Sequence, residues 1–227
     1  MKVRRASDDA EADIGFDSNG DLDTAAIAAH CTTSAGYVSV WYDMSGNSNN
    51  ATQSTTTQQP QIYNGTAVIT ENGKPAIKPT SASQLFNSSL AASLAGVTFF
   101  SVVRVVSGTG SAAFLNGSTS STYIGAAQDG QTSTIIDQNS GNVSYRIDEA
   151  TATPANQNAL HDALATGNHL FSIYTDKATG FTNYIGYNNV AVWMYQLQEF
   201  VAYRSDEFTG GDLSGIETNI STYFSTP

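Results

Sequence analysis

The sequence predicts an all-β domain built as an antiparallel sandwich or barrel. Short runs rich in β-branched and aromatic residues recur along the chain about every 8 to 15 residues, which is the spacing of such folds. Gly and Asn stand at many of the joints between these runs. No linker divides the chain, so residues 1–227 are predicted to form one domain.

The predicted strands begin with a basic run that holds Lys2, Arg4 and Arg5 and is expected to be a solvated edge strand. In "GVTFFSVVRVV" (96–106) both faces are apolar, which predicts a central strand covered on both sides. The other predicted strands are "YVSVWYD" (37–43), "PQIY" (60–63), "TAVIT" (66–70), "KPAIK" (74–78), "STYIGA" (121–126), "TSTIID" (132–137), "VSYRID" (143–148), "HLFSIYTD" (169–176), "FTNYIGY" (181–187) and "VAVWMYQLQEFVAY" (190–203).

Two helices are predicted, one near each end of the chain. In "SGIETNISTYF" (214–224), Ser214 and Glu217 match a capping box, and Ile216 and Ile220 begin an apolar stripe. The N-terminal helix, "LDTAAIAAH" (22–30), is Ala-rich and places three residues on one face: Leu22, Ala26 and Ala29.

The charge of the chain argues against nucleic acid as a partner. Lys and Arg number 9 against 20 Asp and Glu, for a net charge of -11, whereas phosphate binding needs clustered cations. No apolar stretch approaches the ~18 to 20 residues that span a bilayer, so membrane insertion is not expected. Cys31 is the single cysteine, which excludes an intramolecular disulfide, and three scattered histidines make a zinc site unexpected.

Both ends of the chain carry a family resemblance. The segment from "KVRRASDD" through "DIGF" and "LDTAA" to "WYDMSGNSNNATQ" resembles the opening of the fungal α-L-arabinofuranosidase B catalytic domain. It also resembles concanavalin A-like modules of phage tail and bacterial surface proteins. "YQLQEFVAYRSD" and "IETNISTYF" resemble the last strand and closing helix of laminin-G-like jelly rolls. The resemblance implies a concanavalin A-like jelly roll with one short N-terminal and one C-terminal helix.

The resemblance also implies where a glycosidase would carry its two carboxylates, and this chain departs from that pattern. The family nucleophile is a Glu in a strand that corresponds to "IIDQN", where Asn139 takes its position. The family acid lies in a turn that corresponds to "IGYNNV", which has no carboxylate. Because a retaining glycosidase needs both groups, the chain is expected not to be an enzyme.

The same strands offer the side chains that suit sugar recognition, which combines an aromatic face with amide and carboxylate groups. Composition alone can also produce such a mixture, since the chain has 11 Tyr. The predicted carbohydrate-binding residues are Tyr123, Gln128, Asp129, Asp137, Asn139, Tyr187, Asn188 and Asn189.

The loop in "VWYDMSGN" is interpreted as a turn that specifies the fold. Trp41 is assigned to core packing, and the Asp43 carboxylate suits an Asx-type turn that accepts backbone N–H groups. Calcium at Asp43, Asn47 and Asn49 stays open, because Ca²⁺ takes oxygen ligands but needs six to eight of them. No other cofactor is predicted.

These observations predict a non-catalytic, lectin-like module of a phage virion, in a tail fibre or a capsid decoration, that attaches to host glycans. No apolar signal segment lies within residues 1–30, and a virion protein released by lysis needs none, so a virion or extracellular location is expected. The expected partners are a cell-surface glycan, other virion proteins and a second copy of the chain in a homo-oligomer. The alternatives are a purely structural or oligomerising virion domain and an arabinofuranosidase-like glycoside hydrolase.

Overall fold

The computed structural model describes residues 1–79, 86–88, 93–94, 96–105, 114–116, 123–134, 136–137, 141–176, 178–179, 184–185 and 195–227. Strands dominate this part of the chain. They are β1 (Lys2–Arg5), β2 (Glu11–Asp13), β3 (Ala35–Trp41), β4 (Ala51–Thr52), β5 (Gln61–Asn64), β6 (Thr70–Glu71), β7 (Lys74–Pro75), β8 (Phe86–Ser88), β9 (Ser93–Leu94), β10 (Val97–Val105), β11 (Leu115–Asn116), β12 (Tyr123–Ile124), β13 (Val143–Ile147), β14 (Ala150–Ala152), β15 (His169–Thr175), β16 (Ala178–Thr179), β17 (Tyr184–Ile185) and β18 (Tyr195–Tyr203). The helices are α1 (Thr24–Cys31), α2 (Gln157–Ala165) and α3 (Leu213–Phe224).

Two antiparallel sheets form the body of the fold. One has nine strands in the order β12-β11-β17-β8-β4-β3-β1-β2, with β5 also paired to β3, and the other has five in the order β14-β13-β15-β10-β18. Val3 and Val38 of the first sheet belong to the same buried apolar cluster as Phe99 and Phe171 of the second. The described residues therefore form a predominantly β, sandwich-like structure, in agreement with the predicted fold class at this level.

The strand β10 is central, as its sequence predicts. It lies between β15 and β18, and every residue except Arg104 is buried. Its Phe99 and Val103 belong to the core shared by the two sheets. Its Phe100 and Val102 belong to a second apolar cluster on the opposite face. The helix α3 covers this cluster with Ile220 and Phe224.

The basic strand β1 is not a solvated edge, so that prediction was wrong. It lies between β2 and β3, and the Arg4 residue is only 8% exposed. The guanidinium of Arg4 donates to Gln59 Oε1 at 2.6 Å and to Asp9 Oδ1 at 2.7 Å. It also lies over the ring of Tyr37, with 5.1 Å between Cζ and the ring centroid. Two partners that are distant in sequence, Gln59 and Tyr37, together with the nearby Asp9, thus let a cation enter the sheet interior.

Among the described residues, some predicted strands are shorter than expected or are not formed. In the predicted strand 66–70 only Thr70 belongs to a strand, β6. The described residues of 132–137 lie outside every strand. Of the predicted strand 181–187, the structure describes only β17, which is Tyr184–Ile185.

The helix α1 buries Ile27 and Cys31 most deeply, and of the predicted face Leu22 and Ala26 pack partly against the core. Ile27 and Cys31 are fully buried, whereas Ala29 is exposed. Asp23 caps the helix by accepting a hydrogen bond from Ala26 N at 2.8 Å. Ile27 has more apolar surface than the alanines around it, so its burial gives the larger stabilisation. The helix therefore turns the face that carries Ile27 toward the core.

The helix α3 begins with a cap other than the predicted capping box. Asp212 is the N-cap, and its Oδ1 accepts a hydrogen bond from Gly215 N at 3.1 Å. Glu217 is fully buried and receives hydrogen bonds from Arg146 Nε at 3.0 Å and from Ser172 Oγ at 2.7 Å. Glu217 therefore joins α3 to the five-stranded sheet instead of closing the helix terminus.

The helix α2 was not predicted from the sequence. Asn156 caps it by accepting from Ala159 N at 2.8 Å, and Leu160 and Leu164 are fully buried in the core between the sheets. The Asn-rich and Ala-rich composition of this short segment gives only a weak periodic signal, so its helical state depends on burial of the two leucines. None of the helices in the described ranges has the length and apolar character needed to cross a membrane.

Candidate functional site

A groove of about 610 Å³ runs along β18 where the two sheets border each other. We call it the β18 groove. Its walls are the loop from Tyr42 to Asn49, the segment from Glu199 to Arg204, and single residues of β3, β4, β10 and β17. The volume lies within the range of about 300 to 1,000 Å³ that is typical of small-molecule sites.

The loop that forms one wall is held by Asp43, as the sequence predicts. The Asp43 carboxylate accepts hydrogen bonds from Ser45 N at 2.8 Å and from Asn49 N at 2.9 Å. Asp43 N in turn donates to Asn50 Oδ1 at 2.9 Å. The hydrogen bonds from Ser45 and Asn49 lower the pKa of Asp43 below its usual value. Because both carboxylate oxygens already accept backbone N–H groups, the loop has a defined shape before any ligand arrives.

Apolar and aromatic side chains line the groove, and two of them are open to solvent. Met44 is 71% exposed and Tyr203 is 37% exposed. Trp41 packs against the core and also lines the groove, so the prediction of core packing describes only part of its environment. The hydroxyl of Tyr42 donates to Asp13, and this hydrogen bond raises the pKa of Tyr42 to about 12.

One carboxyl group of the groove lies in an unfavourable environment for its charge. Glu199 follows a β-bulge, because Val102 pairs with Glu199 whereas Val103 pairs with Leu197. Burial raises the pKa of Glu199, and its Oε1 accepts a hydrogen bond from Phe200 N at 3.1 Å. Bulges often occur beside functional sites, where they redirect a side chain.

The structure describes four of the eight predicted carbohydrate-binding residues, namely Tyr123, Gln128, Asp129 and Asp137. Asp137 is partly buried and accepts hydrogen bonds from Gly125 N at 3.0 Å and from the hydroxyl of Tyr145. Burial raises the pKa of Asp137. Burial raises the pKa of Tyr123, and the nearby charge of Asp137 raises it further. Asp137 thus acts as an internal hydrogen-bond acceptor.

The remaining predicted residues have other surroundings or lie outside the described ranges. The backbone N–H of Gln128 donates to Gln157 O at 3.2 Å, beside the start of α2. Asp129 is exposed and lies close to His161 and Asp162 of α2. The four residues outside the described ranges are Asn139, Tyr187, Asn188 and Asn189.

The sequence analysis did not predict that these segments form one groove, although one local pattern indicated part of it. Trp41 and Tyr42 stand directly before a polar turn that contains Asn residues. This order places aromatic rings and side-chain amides close together, as in a sugar-binding site. Nothing in the local pattern of β18 shows that Glu199 and Tyr203 face the same turn. Ile185, which also lines the groove, stands two positions before the predicted Tyr187.

Comparisons with known proteins give no relative from which a function could be transferred. No family model matches the chain, and no curated protein and no solved structure matches it at a significant level.

Proposed function

We propose that the chain is a non-catalytic, lectin-like module that binds a glycan in the β18 groove. The observation that carries the proposal is the groove itself, about 610 Å³ in volume, in which Trp41 and Tyr203 line the same space as the amides of Asn47 and Asn49. Sugars present apolar ring faces and hydroxyl groups, so aromatic rings beside amide and carboxylate oxygens are the groups that recognise them.

The charges of the groove favour a neutral glycan. Asp43 and Glu199 contribute carboxyl groups, and Arg204 is the cation among the lining residues that the structure describes. The whole chain has a net charge of -11. An anionic polysaccharide would therefore be repelled at low ionic strength, whereas a neutral sugar would not.

The proposal includes a concanavalin A-like jelly roll displayed on a phage virion, as a tail-fibre or capsid-decoration component. Support comes from the resemblance of the N-terminal segment through "WYDMSGN" to phage and bacterial surface modules. The low proportion of charged residues, 13%, suits a surface that interacts through hydrogen bonds. Host attachment through a cell-surface glycan is the role that follows, with other virion proteins as anchoring partners.

A glycan array followed by titration of the best hit tests the glycan proposal. Tyr203→Ala and Asn47→Ala alter groove residues that are exposed. Each variant should weaken binding about tenfold or more, because an aromatic contact and a directed hydrogen bond are each worth roughly 1 to 3 kcal/mol. Phe16→Ala is the matched control, since Phe16 is 57% exposed and is not a lining residue of the groove. Equal affinities in all four proteins would overturn the assignment to the groove.

A further variant separates the groove from the strands that the sequence analysis favoured. Loss of binding in Tyr187→Ala together with full binding in Tyr203→Ala would move the site to those strands. The absence of any glycan bound, together with defective particle assembly when the chain is removed, would favour a purely structural virion domain.

The enzyme alternative has a separate test. The chain should release no sugar from an aryl arabinofuranoside, because Asn139 and Asn188 are amides at the positions where the resemblance expects carboxylates. Turnover by the unmodified chain that disappears in Asp137→Asn would contradict this and would assign Asp137 the nucleophile role.

A further inference from the structure

A second cluster of polar groups lies between the turn after β12 and the helix α2, and it is independent of the proposed glycan site. Asp129, His161 and Asp162 each offer a ligand atom, and these atoms all lie within 4.8 Å of one another. His161 and Asp162 are neighbours on α2, whereas Asp129 stands 32 positions before His161 in the chain. The fold alone brings the three groups together.

The histidine of this cluster is buried without full hydrogen bonding. His161 is 7% exposed, its Nδ1 lies 3.1 Å from Asp162 Oδ1, and its Nε2 has no hydrogen-bond partner among the described residues. The nitrogen that contacts Asp162 is Nδ1, so an ion held between the three groups would take Nδ1 as its histidine ligand.

The two aspartates differ from the histidine in being exposed. Two carboxylates at this separation repel each other, and a cation between them would remove the repulsion. Asn158 supports the arrangement from the side. Its Nδ2 donates to Asp162 Oδ2 at 2.8 Å and its Oδ1 accepts from Gly130 N at 2.6 Å. Such contacts orient the ligand carboxylate and hold the turn against the helix.

We propose that Asp129, His161 and Asp162 bind a divalent transition-metal ion, with zinc as the representative ion. One imidazole nitrogen and two carboxylate oxygens suit Zn²⁺, whereas Ca²⁺ and Mg²⁺ prefer oxygen ligands alone. Three protein ligands leave room for water at the remaining position. The ion would join the turn at Asp129 to α2, so metal binding is expected to stabilise the folded chain.

Calorimetric titration with zinc chloride tests the proposal on the full chain after removal of metal with EDTA. The expected result is one zinc ion per chain and a rise in the unfolding temperature when zinc is present. Asp129→Asn and Asp162→Asn alter exposed residues, and each should weaken zinc binding at least tenfold. Glu11→Gln, which removes an exposed carboxylate from β2, is the control and should bind zinc as the unmodified chain does.

The role of the buried histidine is measured by spectroscopy on the unmodified residue, because His161→Ala removes a core side chain and the variant can fail to fold. Zinc should shift the NMR signals of the His161 ring and leave those of His30 and His169 in place. Cobalt should give visible absorption that is lost in Asp162→Asn. Absence of zinc binding, or zinc binding that both aspartate variants retain, would overturn the proposal and leave only a hydrogen-bonded contact between His161 and Asp162.

Discussion

At the scale of single residues, close approach decides which side chains the core accepts. Gly36 of β3 is an example, because a Cβ added there would lie 2.5 Å from Cys31 Sγ and 3.1 Å from Tyr63 Cβ. Cys31 is fully buried, and burial raises the pKa of its thiol. The single cysteine thus packs as a small apolar group against a position that has no side chain.

Gly36→Ala should destabilise the chain by about 1 to 3 kcal/mol, because the core must move to accept the methyl group. Urea denaturation measures the free energy of unfolding. Combination with Cys31→Ala should recover part of the loss, since the closest clashing atom is then absent. A double variant whose loss equals the sum of the two single losses would show that the contact with Cys31 Sγ is not the cause.

Glu199 should make stability depend on pH in the opposite sense from an ordinary paired carboxylate. Burial raises its pKa above the usual 4.5, so the folded state holds the proton more tightly than the unfolded state. The contribution of Glu199 to stability is therefore present below pH 4.5 and is lost as pH rises through the folded pKa. Glu199→Gln should therefore gain stability relative to the unmodified chain as pH rises above 4.5.

Urea denaturation of the two proteins across this pH range provides the measurement. Glu11→Gln shows how much of any change comes from removing one negative charge from an acidic chain. A difference between Glu199→Gln and the unmodified chain that stays constant with pH would contradict the assignment of a raised pKa to Glu199.

At the scale of elements, α3 is held to the five-stranded sheet by apolar packing and by one buried ion pair. Arg146 of β13 and Glu217 of α3 lie 2.9 Å apart between Nη2 and Oε2. The Glu217 side chain is 1% exposed. Since a buried charge needs both its partner and its hydrogen bonds, the contact with Ser172 completes the arrangement.

Glu217→Ala should lower the free energy of unfolding by about 3 to 5 kcal/mol, because the partly buried Arg146 then loses its counter-charge. Replacement of both residues, Glu217→Leu with Arg146→Met, should cost less than the sum of the single replacements. Chemical denaturation of Glu217→Ala, of the two single replacements Glu217→Leu and Arg146→Met, and of the double replacement measures this. A loss below about 1 kcal/mol for Glu217→Ala would place the pair among ordinary surface ion pairs.

The start of α3 gives a test that separates the two candidate caps. Asp212→Ala should cost about 1 kcal/mol, since the backbone N–H of Gly215 loses its acceptor. Ser214→Ala should have little effect, because Ser214 lies inside the helix. Thermal unfolding of both variants is sufficient. A larger loss for Ser214→Ala than for Asp212→Ala would restore the capping box that the sequence suggested.

At the scale of the whole molecule, stability should be concentrated where the sandwich is covered on both faces. The strands β10 and β15 are neighbours in the five-stranded sheet, and both are almost wholly buried. Hydrogen exchange followed by NMR should find their amides among the slowest, with β2 among the fastest since it is a mostly exposed edge strand. Similar exchange rates in β10 and β2 would contradict this distribution.

The features that the sequence determined are those that one short segment specifies alone. The apolar run 96–106 predicts a strand buried on both faces whatever lies beside it, and Asp43 closes its turn with backbone N–H groups a few positions away. The β class of the fold follows from the repetition of such local patterns.

The tertiary structure decided everything that depends on distant partners. Arg4 is interior because the distant Gln59 accepts a hydrogen bond from its guanidinium, and Glu217 is buried because Arg146 and Ser172 donate to it from the sheet. The β18 groove and the cluster at His161 likewise join segments far apart in the chain. The physical reason is the same in each case: the energy of a buried polar group depends on the partner that the fold places beside it.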